Sequence, residues 1–195
     1  MRKLICTLTL VLTPSIAFAH TGVGHTTGFL HGFGHPIGGI DHILAMVAVG
    51  VFSFVLGGRA FRLVPAAFVS MMCVGFGLGI NQVDVPFVEL GIALSSVVIG
   101  GAAALGRPMP VGLAMALVGV FAVFHGHAHG AEMPESTGGL SYALGFVAAT
   151  AMLHATGILA TLGASRLIGR HGRFSAQLAG GMFALGGVGV LTGWL

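Results

Sequence analysis

Apolar residues in this chain neither alternate nor fall into narrow helical stripes; they run on. Six long apolar runs lie at roughly 37–57, 63–80, 87–105, 109–127, 138–162 and 174–194. A helix needs about 20 apolar residues to cross the hydrocarbon of a bilayer, and it satisfies its own backbone there. The expected fold class is therefore all-α, a polytopic membrane protein with six transmembrane helices. The first run can begin nearer Thr27, with a break or kink at Pro36. Ahead of it, Arg2 and Lys3 precede the apolar stretch LICTLTLVLTPSIAF and the Ala17-Phe18-Ala19 site. That is the pattern of a secretory signal cleaved after Ala19. The expected division is a signal peptide, 1–19, and a single six-helix domain, 20–195, starting at His20.

Arginine supports the count. After residue 19 the cations are Arg59 and Arg62, Arg107, and Arg166, Arg170 and Arg173, in three alternate loops. With six alternating spans all three loops share one side, and the excess of Lys and Arg makes that side cytoplasmic. A cleaved signal independently places residue 20 outside. Both mature termini are then expected on the periplasmic side of a bacterial inner membrane.

Composition agrees with the pattern: 55% of residues are hydrophobic and 7% charged, against roughly 25% charged in soluble domains. The formal charge of +3 rests partly on Arg2 and Lys3, so basicity does not point to nucleic acid. Cys6 would leave with the signal, and Cys73 lies in an apolar run, so no internal disulfide is expected. The 34 glycines include Gly75-x3-Gly79 and Gly189-x3-Gly193, small steps that let helix backbones approach closely in lipid.

Polar chemistry is one-sided. His20, His25, His31, His35, His42, His125, His127, His129 and His154 fall in or near the outer half, as do Asp41, Asp84, Glu89, Glu132 and Glu135. On one continuous helix His35 lies about 40° and His42 about 20° from His31, and Asp41 about 80° away. Asp41 is then either a ligand reached through a kink or an acceptor for an imidazole N–H. In HGHAHGAE, His125, His129 and Glu132 can share a face, while His127 points elsewhere; Gly126 and Gly130 suggest that the helix frays or turns nearby. Glu89 opens the third run, where it is either an interfacial carboxylate or a ligand. His154, within AATAMLHATGILA, calls for a partner such as Asp41, Thr150 or a metal. His20 can add its free amine to its imidazole once the signal is removed.

Imidazoles with a few carboxylates suit nickel, cobalt, zinc or copper, and not calcium or magnesium. Scattered methionines are core filling at this hydrophobicity. There is no Walker-type phosphate loop, no H-E-x-x-H and no G-x-S-x-G. Ligands bind deprotonated, so metal uptake should weaken as pH falls toward about 6.5, the ordinary histidine value. The inner half offers few ligands; Ser95, Ser96 and Thr161 are its candidate polar route.

FLHGFGHPIGGIDHILAMVAVG and FHGHAHGAEMP resemble the two markers of the HupE/UreJ family of bacterial nickel or cobalt permeases. The resemblance covers the chain in arrangement: a signal, then six spans with histidines outside. It implies a secondary permease for nickel or cobalt, zinc ranking below both, with no permanent cofactor and no enzymatic activity. Its metal residues fall on His35, Asp41 and His42 and on His125, His129 and Glu132, with His31 in the same neighbourhood. Five residues separate His35 from Asp41, where the broader nickel/cobalt transporter group has four. The partners implied are a divalent metal ion and membrane lipid, with no nucleic acid. Oligomeric state is open. Two other functions stay open: a metal-dependent intramembrane hydrolase, and a membrane metal-binding or sensory protein that does not transport.

Overall fold

The computed structural model describes residues 28–195; the signal segment, His20 and His25 lie outside them. The described chain is all-helical: α1 (Gly28–Gly38), α2 (Ile40–Leu56), α3 (Ala60–Ile80), α4 (Val88–Leu105), α5 (Val111–Ala131), α6 (Gly139–Ile168) and α7 (Gly172–Leu191), with a short 3-10 turn at Gly169–His171. Four stretches are long and apolar enough to cross a membrane: α3, α4, α5 and the segment Gly139–Leu191. The bent pair α1 and α2 makes five if taken as one span.

The first apolar run is not one helix. Pro36 sits buried inside the last turn of α1, and the break comes later, at Gly39, whose backbone is extended at φ −103° and ψ 122°. Across it the two helices differ in direction by 83°. The expected single face for His31, His35 and His42 therefore does not exist. Within Gly139–Leu191 the chain breaks at Gly169, in the left-handed region at φ 64°, a conformation that favours glycine.

Glycines set which helices pair. A Cβ on Gly75 would fall on the Val123 backbone, on Gly79 against His127 and Gly130, and on Gly126 against Met72. Contacts rise together along both helices, so α3 and α5 run parallel with their backbones touching. On α4 and α7, Gly100 meets Gly180 and Ala184 while Gly187 meets Ser96 and Val97. That order is antiparallel. Gly32 of α1 lies against Tyr142 of α6, and Gly50 of α2 against His154 and Gly157. These approaches supply packing where lipid gives no hydrophobic drive between helices. Gly189 and Gly193 are different: they belong to the C-terminal turn, where Gly193 has φ 71° and open space around it.

Two hydrogen bonds join the loops at opposite ends. Arg173 donates to the Gly106 carbonyl at 3.1 Å, bringing the α4–α5 and α6–α7 connections together. His127 donates from Nε2 to the Val83 carbonyl at 2.8 Å, tying the α3–α4 loop to the end of α5. The aliphatic and aromatic core lies between, around Met46, Phe52, Phe68, Met72 and Ile99. An apolar groove of about 230 Å³, lined by Val47, Gly157, Thr161, Ala176 and Phe183, lies on the flank of α2, α6 and α7, away from the histidines.

Candidate metal site

The sharp turn at Gly39 builds the centre of the site. With no side chain there, Asp41 and His42 can fold back: a Cβ on Gly39 would come 2.6 Å from Asp41 Oδ1 and 3.3 Å from His42 Nδ1. Asp41 Oδ1 accepts from the His42 backbone N–H at 2.8 Å and lies 3.1 Å from His42 Nδ1. The first contact satisfies an orphan donor in the opening turn of α2, where negative charge is also favoured by the helix dipole. The second has a chemical consequence. A carboxylate only accepts, so His42 carries its proton on Nδ1 and its lone pair on Nε2. Nε2 is buried and has no hydrogen-bond partner.

The two histidine motifs meet. The His42 ring centroid is 4.7 Å from that of His125 and 5.1 Å from that of His129, and the His35 ring is 4.9 Å from His129 and 6.2 Å from His42. Three helices, α1, α2 and α5, thus contribute four imidazoles to one cluster. Glu132 caps the end of α5, and its Oε2 lies 3.2 Å from His35 Nε2. The hydrogen bond from His35 holds the Glu132 carboxyl below the usual carboxylate range. Here too the acceptor pins the imidazole proton, leaving Nδ1 of a neutral His35 as the electron donor.

Access falls with depth. The Glu132 side chain is 54% exposed, His35 23% and His42 10%, while His125 and His129 are fully buried. His154 lies deeper along α6, its ring 5.2 Å from that of Phe68, which is itself 5.6 Å from His125. Neither ring nitrogen of His129 or His154, nor Nδ1 of His125, has a hydrogen-bond partner. Buried polar atoms are nearly always paired in native structures, so a run of imidazole nitrogens without partners in an apolar bundle is unusual. Aromatic rings wall it: Phe146 stacks on His129 at 4.8 Å, and Phe76 lies against Phe146 at 4.9 Å. Among the described residues, no three His, Cys, Asp or Glu side chains stand arranged to hold an ion as they are. The rings are neighbours that have not converged to ligand distances.

The other expected residues fall outside this cluster or on its edge. His31 faces Tyr142, ring centroids 5.9 Å apart. Glu89 is exposed in the first turn of α4, joined to no partner among the described hydrogen bonds and ion pairs. Thr150 does not serve His154; its hydroxyl lies 3.6 Å from the Met72 sulfur. α5 ends at Ala131, just after Gly130, as the glycines suggested, and Gly126 and Gly130 are also where α3 touches it. Ser96 and Thr161 bond back to their own helices, at Ala93 and Gly157. Ser95, expected on an inner polar route, lies 3.0 Å from His125 Nε2. Tyr142 was missed as well: its hydroxyl is buried without a partner, and its ring lies 6.2 Å from that of His35. It is the lone tyrosine of the chain, a polar handle in an otherwise apolar run, and that was the available signal.

The chain has counterparts among known sequences. The family described as HupE / UreJ protein matches residues 8–190. The chain is 45% identical over 192 residues to Protein HupE of Rhizobium leguminosarum bv. viciae, covering 98% of each chain. No solved structure matches it.

Proposed function

Since the chain belongs to the HupE/UreJ family, we propose that it is a secondary permease for nickel or cobalt, a transporter and not an enzyme, with the imidazole cluster as its ion site. The observation that carries this is the junction of His35, His42, His125 and His129 from three helices, with buried unpaired nitrogens, inside an apolar bundle. Neutral imidazoles are good donors for late first-row divalent ions. Asp41 and Glu132 offset the ion's charge where low dielectric makes an unpaired charge costly. They act through His42 and His35, as acceptors behind the ligands.

The route runs inward along the fall in exposure, from Glu132 and His35 to His42 and His129, then His125, then His154. His31 stands at the approach as a first contact, and His20 is proposed from the sequence alone as another. Glu89, at the outer end of α4, adds negative charge near the entrance. The ion is cargo, so no permanent metal is needed, and donors that must also release need not stand converged at rest.

The topology proposed with this function has six spans after a signal cleaved at Ala19, with both mature termini periplasmic. The break at Gly169 and the antiparallel packing of α7 on α4 support counting Gly139–Leu191 as two spans. The bond from Arg173 to Gly106 supports placing the arginine loops on one side.

The test is uptake of nickel and cobalt by the purified protein in liposomes. Saturable uptake is expected, abolished by His42→Ala and reduced at least about tenfold by Asp41→Asn, in line with the usual effect of removing a ligand's outer partner. Tight binding without passage would replace the permease with a metal-holding or sensory protein. No binding would leave the cluster as a packing element.

A further inference from the structure

Ser95 is a single hydroxyl placed between two groups. Its Oγ lies 2.5 Å from the Ile92 carbonyl oxygen, one turn back on α4, and 3.0 Å from Nε2 of His125 on α5. All three are buried, and Ser95 and His125 are each 0% exposed. A hydroxyl has one proton to give. A carbonyl oxygen cannot donate, so an oxygen–oxygen approach of 2.5 Å requires that proton to lie between Ser95 and Ile92. Ser95 Oγ then meets His125 with lone pairs only, and His125 must donate from Nε2. The remaining nitrogen, Nδ1, is left with its lone pair, buried and without a partner, on a ring 4.7 Å from that of His42.

We propose that Ser95 is a positioning residue for the metal ion: by accepting from Nε2 it fixes the tautomer of His125 and presents Nδ1 as the donor. The inference rests on the permease reading of the site and adds to it a residue from α4, a helix that contributes no imidazole. It also completes a pattern. Asp41 pins the proton of His42 on Nδ1, Glu132 pins that of His35 on Nε2, and Ser95 pins that of His125 on Nε2. Three different acceptors each leave one bare nitrogen, and they use a neutral hydroxyl at the deepest of the three positions, where a third carboxylate would be the most costly to bury.

Gly91, one turn before Ser95, makes the geometry possible. A Cβ there would fall 2.5 Å from the Phe124 ring, so the glycine lets α4 approach α5 at the level of His125.

The test has two readouts on the full-length protein in lipid. The first is the nitrogen chemical shifts of His125 without metal, by solid-state NMR, assigned by their loss in His125→Asn. The second is nickel binding by titration. Unsubstituted protein is expected to show Nε2 protonated and Nδ1 bare. Ser95→Ala is expected to give mixed tautomers and to weaken nickel binding about 10- to 100-fold, the usual cost of losing a ligand's outer hydrogen bond. Ser95→Thr, which keeps the hydroxyl, is expected to restore most of it. Ser96→Ala, a buried neighbour bonded only to Ala93, is the control for packing and should leave both readouts unchanged. A protonated Nδ1 in the unsubstituted protein, or unchanged binding in Ser95→Ala, would overturn the proposal. Failure of the permease reading looks different: the tautomer follows Ser95, but the unsubstituted protein binds no nickel or cobalt, and the ion-directed role of Ser95 falls with it.

Discussion

An imidazole in this cluster is defined by what its second nitrogen touches. His42 and His35 are held by carboxylates, His125 by a hydroxyl, and His129 and His154 by no hydrogen bond at all. Substitutions should sort by that difference. Glu132→Gln keeps an oxygen that can accept from His35 and is expected to weaken nickel binding less than Glu132→Ala, by about threefold against about tenfold; equal losses in titrations of the two variants would contradict the acceptor role. Glu132 also bears on pH. Its carboxyl is depressed below the usual value by the bond from His35, so the pairing is present above the ordinary carboxylate range and is lost only as pH falls through the lowered folded value. Between about pH 7.5 and 5.5 Glu132 stays ionised, so a fall in uptake there does not come from this carboxylate. Glu132→Gln should therefore leave the acid midpoint of nickel uptake in place while lowering its amplitude; a midpoint that moves with Glu132 would assign the titration to the carboxylate.

Helices were legible and their company was not. Each apolar run from the second to the sixth became a helix, α3 to α7, with α5 and α6 running on past the expected 127 and 162 to Ala131 and Ile168, because run length in lipid is a one-dimensional property. The 83° bend at Gly39 was not legible, since Pro36 offered a more obvious breaking point and a glycine pair reads equally well as packing. The same ambiguity hid half the role of Gly126 and Gly130: glycine beside histidine looks like a helix end, and α5 does end at Ala131, yet both positions also lie where α3 and α5 touch. His35, His42, His125 and His129 were candidates in the sequence and their rings do lie side by side, while Ser95 was not placed among them, because its partner lies 30 residues away on another helix. Helix contacts yield a sharp prediction. Gly126→Ala puts a methyl group on the Met72 carbonyl, whereas Gly77 and Gly101 face open space. Overpacking of this kind costs roughly 1–3 kcal/mol, so Gly126→Ala should melt earlier in detergent. Gly77→Ala and Gly101→Ala should match or slightly exceed the parent, since alanine favours a helix by up to about 1 kcal/mol over glycine.

At the scale of the whole molecule, the proposed topology places the arginines and the histidine chemistry on opposite faces of the membrane. In a Cys73→Ser background, Asp84→Cys and Glu135→Cys should react with a membrane-impermeant maleimide added to spheroplasts. Arg107→Cys and Arg170→Cys should react only after the membrane is opened. The reverse pattern would invert the molecule, and labelling of Arg107→Cys and Arg170→Cys from different sides would remove a span.

The glycine crossings have a mechanical meaning. Where backbone rests on backbone there are no side chains to re-sort, so α3 with α5, and α4 with α7, behave as stiff beams. In the proposed site the ion's donors are divided among such members: His35 and His42 come from the bent arm of α1 and α2, His125 and His129 from one beam, and the hydroxyl proposed to steer His125 from another. A bound ion is then a rivet through separate parts, and any sliding of the arm against the beams must shear it. On that proposed site, cargo release and structural movement become one event.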